Sequence, residues 1–190
     1  TVSVNSCMQD TYVENQTTLS SLRYGVKTFD YCGCAVAAMY NALSFLSGKA
    51  DRNLLPLLIS RFEESGAAFS ARFGTAPRSA AQYLSKYTDF SFEKSGNPKK
   101  FREIAEKSDA LIYTFFNNKK KISRQVHTIC ITKENGQYIA HNSHNRREVY
   151  DSPEQVLQNV GDAPGLAAGI YLVGILSGRG DTPIPDSGLR

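Results

Sequence analysis

The chain has 190 residues, 41% hydrophobic and 21% charged, with a formal net charge of +4. That length carries one substantial core, and the composition excludes a disordered or fibrous chain. Its apolar runs fall short of the roughly 18 residues of a membrane span, so no membrane partner is expected. The one basic cluster, Lys119-Lys120-Lys121 with Arg124, reads as a solvated loop rather than a nucleic-acid face.

No internal repeat is present, and no stretch near Thr1 reads as a secretory signal. Residues 1–21 are polar and irregular. A helix is predicted over 35–46, with Ala35, Ala38, Met39, Ala42, Leu43 and Leu46 on one face and Gly48 as its C-terminal cap. The opposite face carries Val36, Ala37, Tyr40 and Phe45, leaving only Asn41 and Ser44 as a polar strip. A helix so apolar is buried on most sides and is expected at the centre of the domain.

Two further helices follow, in "NLLPLLISRFEES" with Pro56 in its first turn, and in "GTAPRSAAQYLSKY" with Thr75 as cap and Pro77 just inside. A fourth opens at Asn97-Pro98 and runs to Lys107. Buried strands are predicted at 110–117, 126–133 and 137–143, the last two joined by Asn135-Gly136, a two-residue hairpin signal. Ser152-Pro153-Glu154 opens a short helix, and a strand at 169–176 closes the sheet. The tail 177–190 is rich in Gly, Pro and Ser and is expected to be disordered, and its Arg179-Gly180-Asp181 tripeptide is ascribed to chance. Helices first and an antiparallel sheet afterwards give an α+β class: a helical part, 34–107, packed on a sheet part, 110–176.

The cysteines are Cys7, Cys32, Cys34 and Cys130. A disulfide framework belongs to shorter chains, and bridging Cys32 to Cys34 would strain the ring they close. A single Cys-x-Cys is poor evidence for zinc, so no metal or other cofactor is expected, although a redox or metal site there is one rival. Cys34 has a physical advantage: it stands at the first turn of the buried helix, where the helix N-terminus stabilises a thiolate.

A thiolate nucleophile needs a base and a group to orient it. Of His127, His141 and His144, strand parity selects His127, which shares a face with Ile129 and Ile131 while Cys130 points the other way. If Asn135-Gly136 is a two-residue turn, His127 lies opposite His144, with Asn142 one diagonal step away on the same face and His141 on the other. Cys34, His127 and Asn142 thus form a candidate triad, with His144 as the competing orienter.

These segments, "YGVKTFDYCGCAVAAMYNAL", "FGTAPRSAAQYL", "VHTICITKENGQYIAHNS" and the closing strand, resemble the papain-like cysteine peptidases, especially the compact bacterial ones similar to bacteriocin-leader-processing peptidases. The resemblance covers roughly residues 22–176 and implies a single papain-like catalytic domain acting on a protein or peptide substrate. It also implies an oxyanion donor six residues before the nucleophile, ordinarily Gln. That position is Thr28 if Cys34 attacks and Val26 if Cys32 does. The donor argument favours Cys34, whereas a Cys-Gly-Pro alignment would choose Cys32. Two more rivals stand: the same triad performing deamidation or acyl transfer in a secreted bacterial toxin domain, which would have a cognate inhibitor or immunity protein, and a non-catalytic binding module of the same fold. The loose polar N-terminus tilts the expectation toward secretion, or delivery from a larger secreted protein.

Overall fold

The computed structural model describes residues 12–51, 53–65, 74–117, 126–160 and 168–177. Cys7, the basic cluster from Lys119 to Arg124 and the tail with its Arg179-Gly180-Asp181 tripeptide lie outside the described residues. A 3-10 turn, Gln16–Leu19, leads into a minimal hairpin of β1 (Arg23–Tyr24) and β2 (Lys27–Thr28). Four helices come next: α1 (Phe29–Cys32), α2 (Cys34–Leu46), α3 (Leu54–Ser65) and α4 (Ser79–Tyr87). They are followed by β3 (Ser91–Ser95), α5 (Phe101–Lys107), β4 (Ala110–Phe116), β5 (Val126–Glu134), β6 (Gln137–Ser143), β7 (Arg146–Tyr150), α6 (Pro153–Asn159) and β8 (Gly169–Leu176). The last six strands form one antiparallel sheet in the order β3-β8-β4-β5-β6-β7. The class is α+β, as the order of elements predicts.

Both faces of this sheet are covered. In β4, Ala110 and Ile112 join the core built with α2, α3 and α4, while Leu111, Tyr113 and Phe115 join a second core with α5 and α6. A strand buried on both faces reads as a continuous apolar run, which is how "ALIYTFF" announces itself. α2 lies between α3 and the sheet, and every residue from Ala35 to Ser44 is buried.

Local signals account for most boundaries. Asn135 and Gly136 both take positive φ, 52° and 82°, as a type I′ turn demands, and the register Glu134↔Gln137 follows. Asn97 accepts a hydrogen bond from the Lys99 N–H, and Ser152 from the Gln155 N–H, each capping the turn ahead of it. α4 departs from expectation and starts at Ser79 instead of just after Thr75, because the Thr75 hydroxyl is engaged with Tyr24 Oη at 2.8 Å. β3 and β7, which no pattern announces, are the two edge strands; their mixed exposure leaves no clean apolar alternation. With β3 at the edge, β8 lies inside the sheet rather than closing it.

Candidate active site

The Cys32-Gly33-Cys34 stretch is the joint between two helices. The Gly33 N–H donates to the Phe29 carbonyl at 2.7 Å, closing α1, and the Gly33 carbonyl accepts from the Ala37 N–H at 2.9 Å, opening α2. A Cβ on residue 33 would stand 2.6 Å from carbons of the Phe29 ring, so the two helices can meet this closely only at glycine. Cys34 is consequently the first residue of α2, where backbone N–H groups have no acceptor within the helix.

The two cysteines flanking Gly33 differ in kind. Cys32 is buried, and its Sγ faces the carbonyls of Thr28 at 3.4 Å and Tyr24 at 3.7 Å. Burial, reinforced by the charges of Cys34 and Asp30, pushes its thiol up to about 11. Cys34 is partly exposed. Burial pushes its thiol up as well, but a hydrogen bond from His127, that residue's charge and the backbone N–H groups of Thr128 and Ala35 outweigh it, and the thiol is held below its ordinary value. Of the two cysteines, only Cys34 has the electrostatics of a nucleophile.

His127 lies at the start of β5, its ring edge-on to Phe115 at 5.8 Å between centroids. The pairing of β5 with β6 runs from Glu134↔Gln137 to Cys130↔His141, and beyond it the strands part. In that gap His127 Nε2 meets the backbone carbonyl of Asn142 at 2.9 Å. A carbonyl only accepts, so Nε2 carries a proton, and Nδ1 is the nitrogen left for the thiol. Burial pushes the imidazole down, whereas the Cys34 thiolate and the Asn142 carbonyl hold it above its ordinary value. The two shifts run in opposite directions, the thiol down and the imidazole up, each favouring the charged form of its group.

Asn142 thus meets His127, but through its main chain. The expected contact was its side-chain amide; that amide is turned away and paired with Gln16. The reason is a left-handed backbone at Asn142, φ 60°, in an irregular stretch of β6 between Ala140 and Ser143. His144 is not opposite His127. It forms with Asn145 the exposed turn between β6 and β7, both at positive φ, where its Nδ1 lies 3.4 Å from Glu148 Oε2. Thr28, the expected oxyanion donor, is placed one helix upstream as the residue before α1, with its carbonyl against Cys32. His141 faces away from the pair, as parity requires, and Cys130 is buried in the core beneath α2. Gln16 and Glu14 escape sequence reasoning: both come from the polar N-terminal stretch, and no local pattern ties them to a strand about 126 positions away.

Among the described residues, no group of three or more His, Cys, Asp or Glu side chains is arranged to hold a metal ion, and no helix is long and apolar enough to cross a membrane. Neither a protein-family model nor a curated protein matches the chain in sequence. Among solved structures it is similar to the peptidase domain of Streptococcus ComA, a bi-functional ABC transporter involved in a quorum sensing pathway. The likeness covers 81% of this chain and 98% of that one, at 13% identity and a TM-score of 0.49.

Proposed function

We propose that this chain is a cysteine-nucleophile amide hydrolase, a papain-like cysteine peptidase acting on a protein or peptide. One arrangement carries the reading: Cys34 opens α2, the Asn142 carbonyl holds His127 Nε2 and leaves Nδ1 for the thiol, and the thiol and imidazole are shifted in opposite directions, each toward its charged form. In the reaction the Cys34 thiolate adds to the substrate carbonyl carbon, and the oxyanion accepts from the Cys34 N–H, a donor of the first turn of α2. His127 passes its Nδ1 proton to the leaving amine nitrogen as the C–N bond breaks, which leaves a thioester on Cys34. Water, giving a proton back to Nδ1, then hydrolyses that thioester to the free acid. Throughout, the Asn142 carbonyl holds Nε2–H and with it the plane of the ring.

The test is a limiting dose of iodoacetamide near neutral pH, with the modified residue mapped by mass spectrometry, run beside peptide hydrolysis by Cys34→Ala. Fast, selective labelling of Cys34 and loss of at least about a thousandfold in turnover on Cys34→Ala are expected. Uniformly slow labelling of all four cysteines, or activity that persists in Cys34→Ala, contradicts the proposal.

A further inference from the structure

The polar stretch ahead of the first hairpin is bonded to three of the elements that build the candidate site, α1, α2 and β6. Val13 exchanges two hydrogen bonds with the buried Asn41 side chain of α2, at 2.7 and 3.0 Å. Glu14 accepts from His141 Nδ1 at 2.8 Å and from the Asn142 N–H at 3.4 Å. The Gln16 N–H donates to Asn142 Oδ1 at 3.1 Å, and Asn142 Nδ2 donates back to Gln16 Oε1 at 2.8 Å. Gln16 Nε2 donates in turn to the Asp30 carbonyl in α1 at 2.8 Å. Both Gln16 and Asn142 are buried.

Asparagine tolerates a left-handed backbone in turns, but Asn142 holds one inside a strand and buried, and these bonds are what fix it there. They connect the helix pair that carries Cys34 with the carbonyl that holds His127. We infer that Gln16, assisted by Glu14, is a positioning residue: it clamps Asn142 in the conformation that turns its carbonyl onto His127 Nε2. This rests on the reading of Cys34 and His127 as nucleophile and base. If the clamp is lost, the imidazole loses its fixed partner and supports the thiolate less well, so reactivity retreats toward higher pH.

The titratable groups at the clamp are Tyr12, Glu14, His141, Asp30, His127 and Cys34, and none of them is changed by the substitutions that test it. Gln16→Met keeps the side-chain length and the main-chain bond to Asn142 but removes the amide. Asn142→Gly keeps the carbonyl and accepts positive φ freely, but loses both side-chain bonds to Gln16. Alkylation of Cys34 by iodoacetamide is followed across pH for the parent, each variant and the double variant. At pH values below the parent's own midpoint we expect a loss of roughly threefold for Gln16→Met and roughly tenfold for Asn142→Gly, half a unit and one unit in the thiolate midpoint. The double variant should be no slower than Asn142→Gly, because both substitutions break the same pair. All four proteins should agree within about twofold near pH 10, where the thiolate forms without help from the imidazole.

Should Gln16→Met fail to unfold cooperatively, Asn142→Gly reads the clamp from the other side. A folded Gln16→Met with the parent's pH profile overturns the clamp and leaves the nucleophile–base reading intact. So does a double variant whose loss is the product of the single losses. A parent with no fast thiol at neutral pH overturns both.

Discussion

Two Cys–His neighbourhoods lie along the same pair of strands, and they behave oppositely. Cys130 and His141 are direct cross-strand partners in β5 and β6, both fully buried. Both nitrogens of His141 are engaged elsewhere, Nδ1 with Glu14 at 2.8 Å and Nε2 with the Thr132 hydroxyl at 2.9 Å. Cys130 is left with burial and the charges of Glu14 and Glu134, all of which push its thiol well above the ordinary value. At the other pair one imidazole nitrogen is held by a carbonyl and the second is free to face Cys34. Proximity of Cys to His therefore does not make a nucleophile. What sets the Cys34–His127 pair apart is an uncommitted ring nitrogen and a cysteine that is partly exposed.

The sharpest way to break this contrast is His127→Ala. Without the imidazole, burial is the dominant influence on Cys34 and its thiol rises, so less thiolate is present at any pH below the new value. We expect alkylation of Cys34 at neutral pH to fall by roughly 10- to 100-fold, one to two units of midpoint, with the deficit vanishing at high pH. An unchanged pH profile would place the reactive pair elsewhere. A smaller effect is expected from Gly33→Ala, which forces a Cβ against the Phe29 ring and displaces the start of α2. It should cost about 1–3 kcal/mol of stability in denaturant unfolding, with a few-fold slower labelling. The smallest effect on reactivity belongs to the quiet pair. Cys130→Ala should lower stability by about 1 kcal/mol through a small cavity while Cys34 labels at the parent rate within about twofold. A large change in Cys34 reactivity would show that the two neighbourhoods are coupled.

Much of this molecule is written in short-range pattern. The apolar run of α2, the strands at 110–116, 126–134, 137–143 and 169–176 and the Asn135-Gly136 turn are all readable from period and turn chemistry, since those depend on residues a few positions apart. The same reading places Cys34 at a helix start and His127 on its face of β5, because helix and strand periods fix where side chains point. Edge strands β3 and β7 escape it, for a half-solvated edge needs no apolar alternation. What only the tertiary structure decided are the contacts made by backbone rather than side chain, and those spanning most of the chain. Thr28 follows from the family resemblance, six residues before Cys34, and its carbonyl lies against Cys32. Asn142 meets His127 through its main chain: a left-handed φ turns its carbonyl, not its amide, onto the ring. That φ is held by Glu14 and Gln16 across about 126 positions of sequence, a pairing that exists only once the N-terminal stretch has packed against β6.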